Sequence, residues 1–129
     1  MDLTTVELTF LQRALDLARS GAAHELVELL DAGLPVNLTS GQGDSLLMLA
    51  AYHDHPEVVQ ALLAREADTE RVNDRGQTAL GAAVFRRSAS SVTALLAAGA
   101  DPDGGGRSAR ELAAFFQLDE MILLLTVQD

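Results

Sequence analysis

Apolar positions recur along this chain at helical spacing, in short bursts separated by polar or glycine breaks. Val58, Val59, Leu62 and Leu63 fall at i, i+1, i+4 and i+5, and Leu80, Ala83 and Val84 at i, i+3 and i+4. Such spacing gathers apolar side chains on one face of a helix. The breaks are Ser20-Gly21, Asp54-His55-Pro56, Arg86-Arg87-Ser88 and Gln117-Leu118-Asp119, so the bursts come in pairs. Pro56 stands where a second helix would begin, a position that tolerates a missing N–H. The pattern predicts eight helices, paired over residues 4–33, 43–66, 76–99 and 106–127, with no substantial sheet. Helices this short are marginal alone in water. Each pair must therefore stack on its neighbour in a single layer, with Leu47, Ala50, Leu62, Leu63, Leu80, Ala83, Leu95 and Leu96 in the core.

The bursts also repeat. Gly43 through Ala51 aligns with Gly76 through Val84, 33 residues on. Leu62-Leu63 falls on Leu95-Leu96, and Ala67-Asp68 on Ala100-Asp101, at the same offset. A further copy opens at Gly106-Arg107-Ser108, 30 residues after Gly76, and a degenerate one ends at Leu29-Leu30-Asp31-Ala32-Gly33. Each unit opens on glycine and a small hydroxyl residue, and the hydroxyl suits a helix N-cap. Thr4 and Glu7 have the spacing of a capping box that would open the first helix.

These residues resemble the ankyrin repeat, with its β-turn, Thr-Pro-Leu-His-x-Ala signature and two antiparallel helices. Gly76-Gln77-Thr78-Ala79-Leu80 with Ala82-Ala83, Gly43 through Ala51, and Leu95-Leu96-Ala97-Ala98-Gly99-Ala100-Asp101 carry the resemblance. It covers about residues 10–126, and the chain looks like the small bacterial members in particular. It implies an all-α solenoid of about four helix-turn-helix units with β-turn fingers. That is one domain over residues 1–129, with units about 4–40, 41–74, 75–105 and 106–129, the first and last acting as caps. Glu7, Arg13 and Asp16, with Glu111, Asp119 and Glu120, would make the outer faces of the caps polar.

The departures have consequences. Met48, Gly81 and Glu111 stand where the family has its signature His, which implies looser turns. Asp54 and Glu66 replace family glycines, so left-handed backbone is expected at both. Gly104-Gly105-Gly106 shortens the last finger and makes it mobile.

Composition narrows the function. The net charge of −10 repels nucleic acid and anionic membranes and favours basic partners. All nine basic residues are Arg. There is no Cys, which removes disulfides, thiolate metal sites and thiol nucleophiles. No apolar run reaches the ~18 residues of a membrane span, and the N-terminus is acidic where a signal peptide is basic. A monomer in the cytoplasm is the expectation, without membrane or nucleic-acid partners.

Chemical sites are sparse. His53-Asp54-His55 offers metal-ligand types, but the ordinary reading is an inter-helix turn. Gly104-Gly105-Gly106-Arg107-Ser108 opens a helix without a P-loop Lys, and a turn is the simpler reading. No nucleophile and base share a recognisable spacing, so no enzyme, cofactor or metal is expected. Tyr52, Phe85 and Phe115 instead occupy one repeat position, which in the resembled family lies late in the first helix toward the concave surface. They form either padding between repeats or an aromatic contact strip. The resemblance implies a protein-binding face at Gln42, Asp44, Leu46, Tyr52, Asp74, Arg75, Gln77, Phe85, Arg86 and Arg107. The leading expectation is a non-catalytic interaction module. A regulatory or inhibitory subunit masking the basic cleft of one enzyme is the alternative.

Overall fold

The computed structural model describes residues 5–126. Among these residues it contains α1 (Thr5–Ser20), α2 (Ala23–Asp31), α3 (Leu46–Tyr52), α4 (Pro56–Leu63), α5 (Ala79–Phe85), α6 (Ala89–Ala97), α7 (Ala109–Phe115) and α8 (Asp119–Thr126). These are the four expected pairs, broken where the polar interruptions fall. The Thr4 half of the capping box lies outside the described residues. The only β pairing among them is an isolated antiparallel bridge between Thr39 and Ser45.

The helices form two rows. The first helices of the units, α1, α3, α5 and α7, pack side by side, and the second helices α2, α4, α6 and α8 do the same behind them. The expected single layer is therefore two helices deep.

Local chemistry sets the helix starts. Ser45, Thr78 and Ser108 are N-caps in extended backbone, accepting from the N–H of Met48, Gly81 and Glu111. Ser108 and Glu111 complete a reciprocal capping box. Left-handed backbone follows the repeat. Gly21, Asp54, Arg87 and Gln117 share the inter-helix turn, and Gly33, Glu66 and Gly99 share the position after the second helix; all have positive φ. Asp54 at 61° and Glu66 at 63° are left-handed as expected, and Arg87 at 57° and Gln117 at 55° join them as further non-glycine residues.

The core runs the length of the stack. Leu47, Ala50, Leu62, Leu80, Ala83 and Leu95 are buried. Leu63 and Leu96 are only partly buried and pack on its edge. Each is the second residue of its Leu pair, turned about 100° around the helix from the first. At the ends, Arg13, Asp16, Glu111, Asp119 and Glu120 are exposed as expected, yet so are Val6, Leu8, Phe115 and Leu123. No described helix is long and apolar enough to cross a membrane.

Candidate functional site

The loops that precede α3, α5 and α7 project as fingers linked by backbone hydrogen bonds. The Asp74 N–H donates to the Gln42 carbonyl at 3.0 Å, and the Gly106 N–H to the Gly76 carbonyl at 3.0 Å. Asn73 braces the middle finger. Its Oδ1 accepts from the N–H of Arg75 and Gln77, and its Nδ2 donates to Asp44 Oδ1 at 2.7 Å and Gln77 Oε1 at 2.8 Å. This network holds two fingers together without the family's signature His.

The glycine run fits the last finger by necessity. A Cβ at Gly105 would lie 2.7 Å from Thr78 Cγ2. The left-handed residue there is Gly105, φ 85°, where alignment by repeat offset puts Gly106. The finger's register is thus one residue off the sequence expectation. At the signature position, a Cβ on Gly81 would come within 3.2 Å of Leu112 Cδ1. Bare backbone there lets the next unit close in.

Between the fingers and the first-helix row lies a groove of about 860 Å³. Of the sequence-expected face, Gln42, Asp44, Tyr52, Arg75, Gln77, Phe85 and Arg107 line it. Asp74 is exposed on its finger beside the groove. Arg86 caps the C-terminus of α5, at the rim next to Phe85. Leu46 has to be withdrawn from the face. It is fully buried, with its N–H bonded to the Leu38 carbonyl behind the Thr39–Ser45 bridge. The sequence reading missed Arg19, Met48, Leu49, His53, Asn73, Leu112 and Phe116, which also line the groove. Asn73 carried a signal, an Asx residue three before a turn glycine.

The rings form a ladder, with one member corrected. Tyr52 and Phe85 stack with centroids 6.2 Å apart and planes 3° apart. Phe85 then meets Phe116 edge-on at 5.9 Å, and Phe116 meets Phe115 at 4.9 Å. Phe116 therefore takes the rung expected of Phe115. It is the C-cap residue of α7, where α5 has Arg86. Phe115 is 70% exposed and lies under the Arg107 guanidinium, 5.8 Å from its centroid. Tyr52, Phe85 and Phe116 are 45%, 48% and 44% exposed, so each presents nearly half of its surface to solvent.

The histidines diverge. His55 Nε2 is hydrogen-bonded to the Arg19 carbonyl at 2.8 Å, and its ring lies where a Cβ on Gly21 would be. It fastens the second unit to the first. His53 instead presents its ring edge-on to Tyr52, 5.2 Å away. Partial desolvation, then the charges of His55, Arg19 and Arg86, hold its pKa below the usual imidazole value. Among the described residues no group of three or more His, Cys, Asp or Glu is placed to hold a metal.

A family model for ankyrin repeats, in three copies, matches residues 15–105. The chain is 48% identical over 60 residues to an ankyrin repeat protein of Pseudomonas aeruginosa, a match covering 46% of this chain and 34% of that protein. It is 50% identical over 50 residues to the NAD-capped RNA hydrolase of Homo sapiens, covering 39% of this chain and 11% of that enzyme. An ankyrin repeat domain-containing protein of Stachybotrys chartarum is 35% identical over 104 residues, covering 78% of this chain and 5% of that protein. The matched spans thus reach 34% or less of these relatives' lengths.

Proposed function

The chain belongs to the ankyrin-repeat family, and on that premise we propose that it is a non-catalytic module that binds a partner protein along the groove. Ankyrin repeats are protein-interaction modules, and stacked repeats offer an extended surface for recognition. The observation that carries the reading is the half-exposed stack of Tyr52 on Phe85, continued by Phe116. Aromatic rings on three successive units supply large contact area with few rotatable bonds, the usual chemistry of an interface anchor. The hydrolase activity named for the human relative is not carried over, since the match spans 11% of that enzyme.

In this reading the four units form one domain capped by the first and last, acting as a monomer in the cytoplasm without cofactor or metal. Masking of a basic cleft is the weaker reading, because Arg19, Arg75 and Arg107 line the groove against Asp44 alone among the acids. Affinity capture of a partner by the full chain, followed by titration of that partner against the Tyr52→Ala, Phe85→Ala double variant, tests the proposal. Weakened binding by a variant that melts normally supports it. A partner whose affinity ignores both rings places the interface elsewhere.

A further inference from the structure

The charges of this protein are sorted by place. The chain as a whole carries a net charge of −10. Five arginines, Arg13, Arg19, Arg65, Arg71 and Arg110, are in ion pairs with Glu25, Asp16, Asp31, Asp68 and Asp103. The other four, Arg75, Arg86, Arg87 and Arg107, have no carboxylate in ion-pair contact among the described residues. Two of these four, Arg75 and Arg107, line the groove. Arg86 follows Phe85 at its rim and acts on His53 within it, and Arg87 is the next residue along. The acid that lines the groove, Asp44, already accepts a hydrogen bond from Asn73.

We propose that the groove takes an acidic segment of the partner, its carboxylates meeting Arg75, Arg86 and Arg107 and an apolar side chain seated on the Tyr52–Phe85 stack. The proposal rests on the groove being the binding face, and adds the chemistry of what enters it. Arg75 and Arg107 stand on adjacent fingers without an ion pair among the described residues, Arg107 over the Phe115 ring and near enough to Glu111 to act on it. Guanidiniums so placed suit carboxylates, which they can hold through paired N–H donors. Facing a partner's acids, they reverse locally the repulsion that the rest of the molecule exerts. The half-exposed rings between them reward an apolar residue among those acids. The same rings and cations could stack bases, but a polyphosphate strand would carry its charge across a molecule of net charge −10, and its affinity rests on that electrostatic term. A peptide confines its charge to the groove.

The test is selection of a random peptide library on the full chain at low salt, with the recovered peptides titrated by fluorescence anisotropy. The expected peptides are rich in Asp and Glu around an aromatic or Leu. Arg75→Glu with Arg107→Glu should weaken them about tenfold or more. Arg65→Glu and Arg110→Glu, reversed on paired arginines, should change them much less. All variants are compared after circular dichroism shows them folded. Peptides with no acidic bias that lose affinity on Tyr52→Ala but not on the Arg75 and Arg107 reversals would overturn the acidic occupant and leave the groove reading standing. Peptides indifferent to the rings and the arginines alike, or no peptides above background, would count against both. Binding of a single-stranded RNA oligonucleotide more tightly than any selected peptide, lost with the same reversals, would overturn the proposal in favour of nucleic acid.

Discussion

Tyr52 and Phe85 are exposed by nearly half while lying face to face, so the cost of losing either ring should fall on binding more than on folding. Tyr52→Ala and Phe85→Ala should each weaken the partner by about 1–4 kcal/mol, the range of interface hot spots. Melting should change little by comparison. Unfolding of both variants with unchanged affinity in the folded fraction would make the ladder structural. The titrating residues separate by pH. His53 has a lowered pKa, so the unfolded chain takes up its proton first; stability falls as pH drops through 6.5 and levels off below the folded value. Glu111 is also lowered, chiefly by hydrogen bonds from the Ser108 backbone and side chain. Its contribution is present above 4.5 and is lost as pH falls through its folded value. Melting temperature against pH should therefore descend in two windows. His53→Asn should flatten only the upper one and Glu111→Gln only the lower. An upper descent unchanged in the His53 variant would assign it to another group.

Element by element, the sequence marks helices where punctuation is unambiguous. The hydroxyl N-caps and the left-handed turn positions recur at the offset of 33, which shortens to 30 before the last unit, because each is a backbone requirement that few residues meet. The last unit is less legible. Three successive glycines admit more than one register, and what selects Gly105 is the approach of Thr78 from another finger, which no local pattern encodes. The exchange of Phe115 for Phe116 has the same origin: two adjacent rings are equivalent until the neighbouring Phe85 chooses one. Leu46 misleads for a related reason, since a residue beside an N-cap is surface or core according to the strand-like segment laid over it. The turn chemistry yields a prediction. Glu66 occupies at φ 63° the position filled by glycine at residues 33 and 99. Glu66→Gly should stabilise the fold by about 0.5–1 kcal/mol by removing that strain; a loss of stability in urea would mean the Glu66 side chain contributes more than its backbone costs. In the core, Leu62→Ala and Leu95→Ala, both fully buried, should each cost about 2–5 kcal/mol.

Among the described residues, the main helix contacts run within a unit or between adjacent units, the condition under which stability is a sum of unit and interface contributions. Units with two neighbours should then be the last to open. Burial follows the same order. In α3 six of seven residues are buried and in α5 five, whereas α7 buries two of its seven and α8 two of its eight. The first ten residues of α1 before Leu15 bury only Ala14, and its early turns expose Val6 and Leu8. Local opening draws on regions with few buried contacts. Native-state hydrogen exchange should accordingly protect the amides of α3 and α5 most, those of α7 and α8 less, and those at the start of α1 least. The groove straddles this gradient: Tyr52 and Phe85 close the two firmest helices, while Phe116 follows the looser α7. A bound partner spanning all three rings should therefore raise protection in α7 more than in α3. Equal protection in every helix would mean that the stack opens as one cooperative block. A rise confined to α3 would mean that the partner stops short of Phe116.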